Sequence, residues 1–171
     1  DAWELFHRSM RTLAASTVPV VAAITGHSPG GGMVLALFCD RRVMAEGPFK
    51  VGLNEVAVGI PLPRVILAAL RRQVGARRAE RLAVAGALLD PAGALEVGLV
   101  DEVAPADEVV ERSVGWCRQL LELPQGAVAA TRAAARADLM VLFDHLDRAS
   151  LDAELDRCWY ADEPQRILTQ L

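Results

Sequence analysis

Three contiguous glycines, Gly30, Gly31 and Gly32, open the apolar helical stretch "SPGGGMVLALFCD", in which no polar side chain follows until Asp40. The first N–H groups of a helix have no intrahelical acceptor and sit at the positive end of its dipole. A strand, a glycine-rich turn and a helix start can therefore hold an anion or a developing oxyanion with backbone atoms alone. A dinucleotide-binding turn needs G-x-G-x-x-G and an acidic residue roughly twenty positions later, whereas these glycines are contiguous and Gly26 stands too early. A phosphate loop needs Gly-Lys-Ser/Thr, and neither the lysine nor the hydroxyl is present. Tight packing of backbone on a strand explains one glycine readily and three less well. An oxyanion hole is the functional reading that remains.

Glu55 lies among apolar residues in "VGLNEVAVGI". A carboxylate driven into such surroundings has a raised pKa, which suits proton transfer to and from carbon. An exposed strand residue is the competing reading. His7, His27 and His145 show no i, i+4 pair, so the spacing offers no metal site. Ser28 lacks a Gly-x-Ser-x-Gly elbow. Asp40, followed by Arg41 and Arg42, reads as an internal ion pair rather than a catalytic acid. The arginine-rich stretch "RRQVGARRAER" reads as a solvated helix face, with attraction of a phosphorylated ligand as the alternative.

The elements that must position these residues follow from periodicity and punctuation. Trp3, Leu5, Phe6, Met10 and Leu13 recur at helical spacing, and "TVPVVAAITG" then reads as a buried strand. A helix over 31–39 and a short strand in "RRVMAEG" follow. "FKVGLNEVAVGIPLP" is extended or irregular, because Pro61 and Pro63 block a helix until Arg64. Two short helices separated by Gly75 come next, then a helix capped by Asp90 with Pro91 at its first position and closed by Gly98. "LVDEV" is a brief strand. From Ala106 to Leu171 the chain is helical by composition, with breaks at Pro124 and near Phe143 and with Pro164 opening the last turn or helix.

At 171 residues, one domain can bury roughly 70% of its unfolded surface. The apolar share of 53% and charged share of 23% exclude a disordered chain. The net charge of −4 argues against nucleic-acid binding. "VPVVAAI" and "MVLALFC" are too short to span a bilayer, and no secretory signal opens the sequence. Three cysteines without C-x-x-C spacing read as reduced thiols in a cytoplasmic protein.

Three blocks in order, "PVVAAITGHSPGGGMVLALFCDRRVMAE", "FKVGLNEVAVGI" and "GALLDPAGALEVGLVDEV", resemble the crotonase superfamily of enoyl-CoA hydratases and isomerases. The resemblance implies an α/β fold: a partial ββα spiral over 1–105, then a helical region over 106–171 that serves oligomerisation or closes the active site. It implies an acyl-CoA thioester as partner, a homotrimer or dimer of trimers, and no cofactor beyond the coenzyme A of the substrate. Gly31 would be one of two backbone donors to the thioester oxygen, flanked by Gly30 and Gly32. Hydratases carry two glutamates. The first falls at Val34 here and is missing; the second falls at Glu55 and is kept.

An apolar residue at the first position and "LNE" at the second are similar to the isomerase branch, with Asn54 beside the substrate. Hydration needs water held between two carboxylates, whereas moving a proton along an acyl chain needs one base and a dry pocket. Met33, Val34, Leu37, Val58, Ile60 and Leu62 are compatible with that pocket, as with ordinary core packing. A non-catalytic acyl-CoA-binding or partner-binding subunit is the alternative, as are hydration, decarboxylation and thioester hydrolysis. The A-G-x-D-like segment that carries the family's other donor does not occur in the chain. The expectation is a piece of a longer protein, with a truncated, inactive relative as the alternative. "IPLP" stands where hydratases are glycine-rich, so a different pocket floor is expected.

Overall fold

In the computed structural model, which describes residues 2–145 and 156–169, the chain winds through two small sheets. The amphipathic α1 (Ala2–Ala15) leads into β1 (Val21–Ile24), β2 (Ser28–Pro29) and α2 (Gly31–Leu37). The next turn repeats the plan with β3 (Arg41–Ala45), β4 (Val51–Gly52), a 3₁₀ turn over Glu55–Val58, and then α3 (Arg64–Val74) and α4 (Ala76–Val84). β5 (Leu88–Leu89), α5 (Pro91–Val97) and β6 (Glu102–Ala104) complete the α/β part. One sheet has the order β1-β3-β6 with all strands parallel; the other has β2-β4-β5, with only the last pair antiparallel. Each of the first two turns thus gives one strand to each sheet before its helix, a ββα spiral. β2 and β5 have two residues each, too few for a period-2 signal in the sequence.

Local chemistry sets the element boundaries. Gly75 alone separates α3 from α4. Asp90 caps α5 by accepting from the Gly93 N–H at 2.8 Å, with Pro91 first in the helix; such a cap is worth about 1 kcal/mol. The helical region comprises α6 (Val109–Leu121), α7 (Gln125–Ala135), α8 (Ala137–Asp144) and α9 (Asp162–Leu168). The expected break at Pro124 is present, and Arg136 makes a further one between α7 and α8. The helix expected through 146–155 lies outside the described residues.

The main core joins α1, α2, both α3 and α4, and α8, with Met10, Met33, Val34, Phe38, Met44 and Leu70 almost fully buried. Phe38 meets Phe143 of α8 at 5.6 Å between ring centroids. Burying each such side chain contributes about 1.5–3 kcal/mol.

The expected pairing of Asp40 with Arg41 and Arg42 is corrected by the structure. Asp40 accepts from Arg132 at 2.9 Å and from Arg136 at 2.8 Å, both from the helical region. Arg41 pairs with Glu102, and Arg42 with Asp101. Successive strand side chains point to opposite faces, and the β3–β6 register sets Asp101 and Glu102 beside that end of β3. Arg132 also donates to the carbonyls of Leu13, Ala14 and Ser16, which ties α7 to the end of α1. The arginine-rich stretch forms the outer faces of α3 and α4. Arg71, Arg77, Arg78 and Arg81 are exposed there, while Arg72 holds Asp138 and the Ala135 carbonyl.

Candidate active site

A cavity of about 280 Å³ lies between α1, the start of α2 and the loop that follows β4. Gly30 and Gly31 form one edge; Asn54, Glu55, Val58 and residues 60–63 form the floor; α1 contributes Trp3, Phe6, His7 and Met10. Ile66 and Trp159 complete the wall. The surround is aromatic and aliphatic, and among the described residues Glu55 is its one carboxylate.

Gly30 sits at φ 53°, ψ −125° as the residue before α2, a conformation open to glycine and strained for other residues. Its N–H donates to the Gly52 carbonyl at 2.9 Å, and its carbonyl accepts from the Val34 N–H at 2.9 Å. The Gly30 N–H is thereby spent on the sheet. Gly31 is the first residue of α2, so its N–H has no acceptor within the helix, and it stands on the cavity edge.

Glu55 starts the 3₁₀ turn, which closes at Gly59 through bonds from the Gly59 N–H to the Val56 carbonyl and from the Ile60 N–H to the Glu55 carbonyl. Its Oε2 is buried and has no hydrogen-bond partner among the described residues. Burial raises the carboxyl pKa above its ordinary value, opposed by a hydrogen bond from the residue's own backbone. Such a carboxylate is costly when charged and basic for its type. An ideal Cβ on Gly30 would stand 3.4 Å from Asn54 Oδ1 and 3.6 Å from Glu55 Oε1, so the turn before α2 and the Glu55 loop are in close apposition. A base, a helix-start N–H and water-poor walls together can take a proton from carbon next to a carbonyl.

Of the residues singled out in the sequence, Gly30, Gly31, Asn54, Glu55, Ile60 and Leu62 meet at this cavity, and Val58 joins them. Gly32 and Val34 do not line it. A Cβ on Gly32 would press on Ser28 Oγ at 2.6 Å, so this glycine serves the packing of α2 on β2. Val34 is 1% exposed, and with Met33 and Leu37 it belongs to the core. Gly32, Met33, Val34 and Leu37 therefore serve packing, the reading that composition leaves open beside the pocket for the last three. Trp3, Phe6, His7, Met10 and Trp159 were not legible as wall residues. The signal available was the apolar stripe of α1, which marks an inner face without saying what it faces.

No helix among the described residues is long and apolar enough to cross a membrane, and all three cysteines are free.

The model of the enoyl-CoA hydratase/isomerase family matches residues 1–153. The human protein named enoyl-CoA delta isomerase 1, mitochondrial, is 36% identical over 135 residues, 78% of this chain and 45% of that protein. A Mycobacterium avium protein named probable enoyl-CoA hydratase echA17 is 38% identical over 121 residues, covering 71% of this chain and 47% of its own length. The chain spans about half the length of the curated relatives it matches. The crystal structure of human mitochondrial delta3-delta2-enoyl-CoA isomerase superposes with a TM-score of 0.76 at 29% identity, covering 98% of this chain and 68% of that one. The EchA3 enoyl-CoA hydratase structure from Mycobacterium ulcerans gives 0.76 at 26% identity, covering 90% and 63%. By sequence match and by shared fold, the chain belongs to the enoyl-CoA hydratase/isomerase family of the crotonase superfamily.

Proposed function

We propose that the protein carrying this chain is an acyl-CoA isomerase that moves a double bond from C3 to C2 of a 3-enoyl thioester. The observation that carries this reading is Glu55, the one carboxylate among the described residues of a mostly apolar cavity beside the start of α2. Glu55 as carboxylate takes a proton from C2, and the electrons of that C–H bond move into the thioester as an enolate conjugated with the C3–C4 double bond. The Gly31 N–H, with a second donor outside this sequence, holds the enolate oxygen. The protonated Glu55 then returns its proton at C4, leaving the double bond at C2. Removing one such oxyanion donor costs on the order of 3–4 kcal/mol in other enzymes. No separate cofactor takes part, because coenzyme A arrives with the substrate.

The absence of a glutamate at position 34, where the resemblance places the first of the two that hydratases carry, supports proton shuttling over hydration, since adding water calls for a second polar group to hold it. Hydration is the second reading, favoured by the hydratase names of mycobacterial relatives. Assembly as a homotrimer or a dimer of trimers belongs to the same reading, supported by exposed apolar side chains such as Val84, Val110 and Leu121. A cytoplasmic location is supported by the three free thiols. The test is turnover of graded 3-enoyl-CoA and 2-enoyl-CoA substrates by the full-length protein. Isomerisation that is lost in Glu55→Gln is expected. Rapid hydration of crotonyl-CoA without isomerisation would overturn the assignment.

A further inference from the structure

The residues that follow the undescribed segment return to the cavity. Trp159 lies on its wall and meets Trp3 edge-to-face, with ring centroids 5.7 Å apart. Trp3 in turn meets Phe6 at 6.5 Å, and the Phe6 ring lies 3.6 Å from where a Cβ on Gly31 would stand. An aromatic row thus runs from Gly31 through Phe6 and Trp3 to Trp159, two ring contacts beyond Phe6's neighbour at the helix start. Trp159 does not hang loosely at its end. The Gln165 side chain donates to the Trp159 carbonyl at 2.7 Å. Pro164 is seated so closely on Gly59 that a Cβ there would be 2.8 Å from its Cγ. The segment therefore bridges from α1 to the loop that carries Glu55.

We propose that Trp159, braced by Trp3, closes the far end of the cavity and limits the length of acyl chain that the site accepts, so that its substrates are medium-chain rather than long-chain thioesters. The inference rests on the acyl-thioester reading of the site. The cavity is small, about 280 Å³, and the paired indoles of Trp3 and Trp159 stand on its wall. That suits a medium-length chain whose tail ends against the indole. A longer chain has to displace Trp159 and break its edge-to-face contact.

The experiment measures binding of saturated acyl-CoA thioesters of increasing length to the full-length protein and to its Trp159→Ala and Trp159→Phe variants. Saturated chains cannot be isomerised, so the result does not depend on the reaction assigned to Glu55. For the parent, affinity is expected to rise about fourfold per buried methylene and then stop rising at medium length. In Trp159→Ala the rise should continue for at least two further methylenes, a gain of roughly tenfold or more for the longer chains. Trp159→Phe, which keeps an aromatic ring on Trp3, should fall between the two and guards against a folding defect in the alanine variant. A plateau at the same length in the parent and in a folded variant would overturn the inference. Failure to bind acyl-CoA of any length would overturn the acyl-thioester reading itself, whereas an unmoved plateau with tight binding overturns only the role of Trp159.

Discussion

Gly30 and Glu55 face each other across the cavity edge, with 3.6 Å between Glu55 Oε1 and the position that a Cβ on Gly30 would take. The same position lies 3.4 Å from Asn54 Oδ1. Backbone at φ 53°, ψ −125° costs a non-glycine residue about 1–3 kcal/mol. Gly30→Ala should therefore lower stability by that amount, read as a shift in the urea midpoint with unchanged slope. The new Cβ would meet Glu55 and Asn54 at ordinary van der Waals distance, so displacement comes from relaxation of the strained turn, which carries the Gly31 N–H at the start of α2. A misplacement of about 1 Å can cost on the order of 10²-fold in rate, so kcat should fall much further than the stability loss explains. Unchanged kcat would mean that the spacing between this turn and Glu55 is not used.

The Asp40 cluster allows a sharper energetic test. Asp40 accepts from the Val20 N–H at 2.7 Å, from the buried Arg132 and from the half-buried Arg136. Asp40→Ala leaves two guanidinium groups without their carboxylate, and removing one partner of a buried pair costs about 3–5 kcal/mol. The Arg11–Asp144 pair, with side chains 48% and 58% exposed, should contribute at most about 1 kcal/mol. Chemical denaturation of Asp40→Ala and Asp144→Ala side by side measures the contrast. Equal losses would show that the inner cluster is not the fastener joining α1, α2 and α7.

The same residues show what a sequence does and does not reveal. Glu55 and the glycine turn are legible because their chemistry is local: an acid in an apolar run, and three glycines at a helix start. The alternation of strands and helices is legible from their periods, but the ββα order comes only with the family resemblance, because β2, β4 and β5 have two residues each. Side-chain direction is not legible at Gly32 and Val34, because position in a helix does not say which wall a residue meets. Long-range partners are not legible either. Arg132 and Arg136 lie 92 and 96 residues from Asp40, while the adjacent Arg41 and Arg42 look nearer and turn to β6. Trp159 is invisible for the same reason: its place on the cavity depends on how the chain returns after α8.

Seating of that returning segment can be tested at Gly59. Its backbone is left-handed, with φ 78° and ψ 15°, which costs an alanine about 1–2 kcal/mol. The new Cβ would also stand 2.8 Å from Pro164 Cγ. Gly59→Ala should unseat α9, and trypsin should then cut faster at the exposed Arg157 and Arg166. Adding Pro164→Ala removes the overlapping ring atoms but leaves the backbone cost, so the cleavage rate should fall part of the way back. A double variant cut as fast as Gly59→Ala would show that the ring overlap is not what moves the segment.

Glu55 links activity and stability in opposite senses. Burial raises its folded-state pKa above the ordinary carboxylate value of 4.5. Between those two values the unfolded chain has lost the proton while the folded protein still holds it. The folded state then binds more protons, so stability falls as pH rises through this window and stays lower above it. Glu55→Gln removes the ionisation and keeps the shape. The variant should therefore be more stable than the parent at neutral pH, and the difference should vanish below the ordinary carboxylate range. Thermal melts of both proteins across acid and neutral pH measure this. Parent kcat/KM should rise with pH as Glu55 ionises, with a midpoint above 4.5, while the glutamine variant stays inactive throughout. A parent as stable as Glu55→Gln at neutral pH would mean that Glu55 carries no desolvation strain, and the cavity would then lack a base tuned for carbon.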